Sequence, residues 1–191
     1  MNTNRRFLSC FFVVSCLFTS VLPLSKAVAH EGLVFNPTAL YYTYRESSVS
    51  GTTKLAAIYY DLKLGYAFAN NFYLGAIYSG MNRDYDTQGT KTRTSYGVSV
   101  GYFAESTGLY VMGHYYISSE YDDFSSVSLK KGSGYQADLG YFFTVNQSIK
   151  VGPQLTYRGF KYAQQTSGGV TSSAGYVHNE FVPFVSLGFF F

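Results

Sequence analysis

The chain has 191 residues, the length of one domain, with 20 Tyr, 17 Phe, no Trp and only 13% charged residues. An aromatic share of 19% argues against disorder, and the charged share is about half that of an ordinary soluble domain. The formal charge of +3 carries no nucleic-acid signal: Arg5, Arg6 and Lys26 lie in the first 29 residues with no acidic partner, leaving 11 basic (14 − 3) against 11 acidic residues in the rest.

Residues 1–29 read as an export signal. Arg5 and Arg6 give a basic start, residues 7–24 are almost wholly apolar, and Ala27-Val28-Ala29 is a small-x-small cleavage site. The apolar run is long for a signal, so an uncleaved anchor is the alternative. Cys10 and Cys16 both fall inside this segment. The exported part then has no thiol, and with it no disulfide, thiolate nucleophile or Cys-based metal site.

Residues 30–191 form the second unit. They contain no run of the roughly 18 apolar residues that a spanning helix needs, so a membrane crossing would have to use strands. Lipid gives the backbone no hydrogen-bond partners, and a strand-built crossing must close on itself. Its strands should alternate apolar-out with polar-or-small-in.

Taken in chain order, the first strand places Leu40, Tyr42 and Tyr44 outward and Tyr41, Thr43 and Arg45 inward. In the second, Ile58, Tyr60, Leu62, Leu64, Tyr66 and Phe68 oppose Tyr59, Asp61, Lys63, Gly65 and Ala67. The third, residues 72–80, is ambiguous, because Leu74, Ala76 and Tyr78 or Tyr73 and Ile77 could face lipid. The fourth sets Tyr96, Val98, Val100 and Tyr102 against Ser95, Gly97, Ser99 and Gly101; the fifth sets Leu109, Val111, Tyr115 and Ile117 against Tyr110, Met112, His114 and Tyr116. In the sixth, Tyr135, Ala137, Leu139 and Tyr141 oppose Gln136, Asp138 and Phe142. In the seventh, Ile149, Val151, Leu155 and Tyr157 oppose Lys150, Gln154, Thr156 and Arg158. The eighth opposes Phe181, Val185, Leu187, Phe189 and Phe191 to Glu180, Val182, Phe184, Ser186 and Phe190. This period of two does not fit a helix.

The gaps at 69–71, 104–107 and 145–147 are short, whereas those at 46–53, 83–92, 119–131 and 161–174 are long and polar. Strict alternation of short turns with long loops matches a bacterial barrel with periplasmic turns and extracellular loops. Phe68, Phe72, Tyr102, Phe143 and Phe191 would ring the turn edge, and Tyr44 and Tyr157 the other. The expected fold is all-β: an eight-stranded antiparallel transmembrane up-and-down β-barrel over residues 30–191.

An interior of eight strands is filled by side chains. The inward set carries Arg45, Lys63, Arg93, Lys150 and Arg158 against Asp61, Asp138 and Glu180, with His114 and His178 nearby. This reads as a polar plug in which Arg158 and Glu180 pair across their hairpin; a narrow passage or small-ligand cavity is the sharper alternative. His178 and Glu180, with Ser172 or Ser173, could form a hydrolytic triad, but no His-x-Ser sequence of the kind found in lipid A deacylase barrels occurs. Asp84 and Asp86, or Glu120, Asp122 and Asp123, lack metal-ligand spacing and read as solvated loop charges. No catalytic, cofactor-binding or metal residue is assigned.

With this architecture the sequence resembles the OmpA/OmpX-type small outer-membrane barrels. Its last strand is similar to their assembly signal, polar-x-Gly-x-x-aromatic-x-aromatic: Phe189 and Phe191 supply the aromatics, while Ser186 stands for Gly and Phe184 for the polar residue. The resemblance implies an outer-membrane location in a Gram-negative bacterium, handling by the barrel-assembly machinery, and contact with outer-membrane lipid and lipopolysaccharide. It fixes no function. The expected role is non-enzymatic, structural or surface-interacting, with an unknown extracellular ligand at the loops. A narrow channel or porin for small or hydrophobic compounds comes second and a lipid-modifying enzyme third.

Overall fold

The computed structural model describes residues 31–48, 51–86, 89–104, 107–124 and 127–191, with backbone alone at 45–48 and 51–53. The export segment 1–29 lies outside the described residues. The strands are β1 (Gly32–Ser48), β2 (Gly51–Ala67), β3 (Phe72–Tyr85), β4 (Gly89–Phe103), β5 (Leu109–Asp123), β6 (Val127–Tyr141), β7 (Phe143–Thr144), β8 (Ile149–Ser167) and β9 (Val170–Phe190). All pairings are antiparallel. No helix among the described residues is long and apolar enough to cross a membrane, which leaves crossing by strands untouched.

Nine strands stand where eight were expected. The additional one, β7, is β6 resumed after Phe142: Gly140 faces Gln154 and Phe143 faces Val151 on one continuous register. Phe142 turns its ring inward there.

The eight long strands pair in sequence order, β6 also pairs with β8, and β9 returns to β1, so the sheet closes on itself. The register from Val34 runs through Gly65, Gly75, Ser99, His114, Gln136, Arg158 and Glu180. Extended past the Ala39–Val185 pair, it meets β1 again at Tyr44, ten positions on (44 − 34). A stagger of that size in eight strands goes with a strand tilt of about 40°.

Burial alternates along each strand, and seven of the eight long strands show the expected parity or resolve it. In β3, Tyr73, Ile77, Ser79 and Met81 are buried while Leu74 and Tyr78 are exposed. The first strand corrects the sequence reading twice. It starts at Gly32 and buries Val34, Asn36 and Thr38. The same parity then turns Leu40 and Tyr42 inward, where they pack on Tyr59 and Phe184, while Tyr41 and Tyr44 are exposed. Residues 40–44 carry large apolar or aromatic side chains on both parities, so period alone could not orient them.

The long polar segments are a second correction. Residues expected as loops continue the ladders: β3 and β4 stay paired up to Tyr85–Gly89, and β8 and β9 up to Ser167–Val170, joined by Gly168 and Gly169 in the left-handed conformation that a tight hairpin needs. Loop-length asymmetry becomes strand overhang. One end of the closed sheet carries turns, the other four protruding hairpins.

Candidate functional site

The charged and amide side chains gather inside the closed sheet in two tiers. The tier nearer the turns centres on Asp138, whose side chain is fully buried. Its Oδ2 accepts from Lys63 Nζ at 2.7 Å and His114 Nε2 at 2.9 Å; its Oδ1 accepts from Gln136 Nε2 and Thr156 Oγ1, both at 2.8 Å. Lys63 also donates to Gln154 Oε1 at 2.9 Å and Asn36 Oδ1 at 3.4 Å. A buried charge is tolerated only when paired and hydrogen-bonded, and here one cation meets one carboxylate.

The tier nearer the hairpins centres on Glu180. Arg158 Nε donates to it at 2.6 Å, Arg93 makes a short bond to the same oxygen, and Arg83 donates to the other at 3.3 Å. Arg158 Nη1 reaches Asp61 at 3.1 Å and Ser79 at 3.0 Å. Three guanidiniums thus share two carboxylates. Ring faces compensate in part: Arg93 lies 4.2 Å over Phe160, and Arg158 lies 5.3 Å from Tyr59. Arg93 Nε and Nη1 and Arg158 Nη2 have no hydrogen-bond partner among the described residues. Gln136 joins the tiers by donating to both Asp61 and Asp138.

Of the residues assigned inward from sequence, Asp61, Lys63, Arg93, His114, Asp138, Arg158 and Glu180 belong to this network. Arg158 and Glu180 occupy one register position across their hairpin. Lys150 lies apart at the turn end, 4.3 Å over the Phe190 ring. Arg45 faces Lys54 in the ladder, and its side chain lies outside the described residues. Arg83, Asn36, Gln136, Gln154, Ser99 and Tyr59 are members that the sequence reading passed over. Gln136, Gln154 and Ser99 sat on the inward parity and carried their own signal. Arg83 was hidden because residues 83–92 were read as loop, although β3's inward parity leads straight to it.

Ser99 Oγ meets His114 Nδ1 at 2.7 Å, and His114 Nε2 donates to Asp138, so a hydroxyl, an imidazole and a carboxylate stand in line. That order activates nucleophilic serines. Here all three are buried and Asp138 is saturated by four donors, so the chain of bonds holds the interior together and presents no accessible nucleophile. His178, partly exposed, meets Glu180 at 3.4 Å, whereas Ser172 and Ser173 are exposed opposite Gln165 and Gln164. No group of three or more His, Cys, Asp or Glu able to hold a metal occurs among the described residues.

Below Asp138, rings close the turn end. Tyr110 stacks on Phe142 at 4.4 Å, and Phe103 contacts Tyr73, Tyr110, Phe142 and Phe190 at 5.6–6.3 Å. Outside, the sheet is apolar. One exposed aromatic belt follows Tyr78, Tyr96, Tyr115, Tyr135, Tyr157 and Phe181 from strand to strand, and a second at the turn end includes Phe68, Phe72, Tyr102, Phe143 and Phe191. Leu62, Leu64, Leu74, Val98, Val100, Val111, Leu139, Leu155 and Val185 fill the band between them, all exposed.

No protein-family model matches the sequence, and no curated protein matches it. Among solved structures, the fold is similar to Neisserial surface protein A (14% identity, TM-score 0.49, covering 85% of this chain and 99% of that one). It is also similar to the outer-membrane protein OmpT of Vibrio cholerae (10%, TM-score 0.35, 84% and 52%). A third likeness is the β domain of the Bordetella autotransporter BrkA (12%, TM-score 0.37, 83% and 69%).

Proposed function

We propose that this chain is an exported outer-membrane protein of a Gram-negative bacterium, crossing the bilayer as a closed barrel of eight long strands, with a non-enzymatic role that its protruding hairpins carry. One observation supports this most: the outward face of the closed sheet is a continuous apolar band between two aromatic belts, and among the described residues no charged side chain faces out within that band; charges lie in the interior or at the two ends. Left in water, such a band would be an aggregation surface. In a bilayer it meets lipid tails, and the rings lie at the two interfaces. In this reading residues 1–29 are removed on export, and the assembly machinery reads the strand ending in Phe189 and Phe191. Lipid and lipopolysaccharide surround the band, and the hairpins present whatever external ligand is recognised.

A filled interior favours this over a channel. The Asp138 and Glu180 tiers occupy the bore, and the Tyr73, Phe103, Tyr110, Phe142 and Phe190 rings seal its turn end. Cell fractionation with protease treatment of intact cells tests the proposal. The protein is expected in the outer membrane, resistant to SDS until boiled, and cleaved only within its hairpins. Recovery in the soluble periplasm, or a helical circular dichroism spectrum, would end the reading. Planar-bilayer recording without discrete openings separates it from a porin, and unchanged lipid A masses separate it from a lipid-modifying enzyme.

A further inference from the structure

The sheet closes where β1 meets β9, and this seam is built differently from the other ladders. Its partners are Val34–Phe190, Phe35–Phe189, Thr38–Ser186 and Ala39–Val185, and among the described residues β1 and β9 pair nowhere above Ala39. Phe191 N–H donates to Leu33 O, whereas Phe190 N–H points the other way, to Ser148 O. Alternation along regular strands then aims the odd positions of both β1 and β9 at the seam. Two odd positions are prolines. Pro37 falls between the Phe35–Phe189 and Ala39–Val185 rungs and cannot donate to Leu187 O; the neighbouring Asn36 Nδ2 supplies that bond instead, at 2.6 Å. Pro183 occupies the next rung upward, opposite Tyr41, and has no N–H to give it. Proline inside a sheet is confined to strand edges and interruptions, so the primary structure itself ends the seam at Ala39–Val185.

Above that rung, the interior side of the seam is apolar. Leu40 and Tyr42 on β1 and Val182 and Phe184 on β9 form one cluster with Ala57, Tyr59 and Met81. The outer side is flanked by exposed Tyr41, Val185 and Phe181, the last in the hairpin-end belt. An interrupted ladder in lipid exposes backbone donors at a cost of several kcal/mol each; Pro183 removes one of the donors that this opening would leave bare, while Tyr41, Thr43 and Phe181 keep theirs.

We infer that the β1–β9 seam between Ala39–Val185 and the hairpin-end belt is a lateral portal, through which an acyl chain of the outer leaflet enters the Leu40–Tyr42–Tyr59–Val182–Phe184 cluster. The occupant follows from the surroundings: the gap is walled by Leu40, Tyr42, Val182 and the Tyr59 and Phe184 rings, with the Arg83 and Arg158 guanidiniums only behind those two rings; it opens sideways from the apolar band and is sealed toward the turns by the Asp138 tier and the ring plug. This inference rests on the membrane reading above.

The absence of Trp makes a single introduced one a sole reporter. Protein purified from outer membranes and reconstituted with lipids brominated along their acyl chains is the system. The Tyr42→Trp variant is expected to lose most of its emission, as lipid-facing Phe181→Trp does, while Tyr116→Trp, buried away from the seam, keeps its own. Leu40→Trp serves as a second position should Tyr42→Trp fail to fold. Adding Thr43→Cys and Phe181→Cys, which face each other on the continued register, allows the seam to be closed by oxidation. The Tyr42→Trp reporter should then regain emission, and lose it again on reduction. Strong emission from Tyr42→Trp where Phe181→Trp is quenched, or quenching that survives oxidation, overturns the portal. An unquenched Phe181→Trp would instead mean that the chain does not sit in the bilayer, and the membrane reading falls first.

Discussion

The two tiers of the interior solve the same problem with different chemistry. Around Asp138 one lysine meets one carboxylate, and Gln136, Thr156 and His114 complete the shell. Around Glu180 three arginines converge on one side chain, with Asp61 as the second counter-charge and an aromatic face under each guanidinium. The first tier lies between the ring plug and the second; the second lies toward the hairpins, where Arg83 and His178 are partly exposed. Deep inside, charges must balance locally, because no solvent shares the cost. Nearer the mouth water reaches Arg83, and the fold tolerates an excess of cations on planar, weakly hydrated guanidiniums, the buried Arg93 and Arg158 lying on ring faces. Burial depth sets how strictly charge is matched.

The sharpest way to break this comparison is to remove one charge from the deep tier. Asp138→Asn keeps the shape but leaves Lys63 without a carboxylate, and should cost about 4 kcal/mol in urea unfolding of the reconstituted protein. Adding Lys63→Met should recover most of that loss. If the single variant is as stable as the parent, the deep tier is wetter than described and the contrast dissolves.

Next is the seal beneath it. Phe142→Ala removes the ring stacked on Tyr110 and should cost about 3 kcal/mol. With Phe103→Ala added, brief conductance steps should appear in planar bilayers where the parent has none. Steps already present in the parent would refute the plug.

Glu180→Gln probes the mouth tier and should cost somewhat less than Asp138→Asn, about 3 kcal/mol: Arg158 keeps Asp61 and water can reach Arg83, but buried Arg93 is left with only the amide oxygen and the Phe160 ring. Equal losses for Glu180→Gln and Asp138→Asn would show that depth is not the controlling variable.

The smallest effect on the finished fold is expected outside. Phe191 is exposed, and its N–H to Leu33 O is one of the last bonds of the seam. Deleting it should change unfolding by less than about 1 kcal/mol yet lower the outer-membrane yield severalfold, as read by immunoblot against refolding yield in detergent. Equal impairment of both would make Phe191 merely structural.

Much of the sheet was legible because an apolar outer face and a narrow, side-chain-filled bore each impose a sharp chemical rule on alternate residues. Asp61, Lys63, Asp138 and Arg158 could occupy only one face, and their neighbours followed. Legibility failed where both parities carry the same chemistry. Leu40 to Tyr44 offers rings on either side, and only the ladder beginning at Gly32, with Asn36 and Thr38 inward, fixes the orientation. It failed again above the belt, where strands leave the apolar band and polarity no longer distinguishes ladder from loop; that is why Arg83 was missed. The interior network was visible as a set of residues, but its division into two tiers was not. That division depends on which levels the stagger brings together, and here it places Lys63 beside Asp138 rather than Asp61.

The stagger and the seam also order the events of folding. Every ladder except one joins segments that are neighbours in the chain and can form as soon as a hairpin turns. The exception, β1 with β9, joins residues about 150 positions apart, as Asn36 and Ser186 are, and the entropy of closing so long a loop falls on it alone. Closing this ladder last would leave, before it, an open sheet with two unpaired edge strands and its arginines and carboxylates still hydrated. Desolvation of the charge tiers therefore coincides with closure and follows the formation of the hairpins. Asn36, reaching across to Ser186 and Leu187, is the latch of that last step: its bonds exist only in the finished ring.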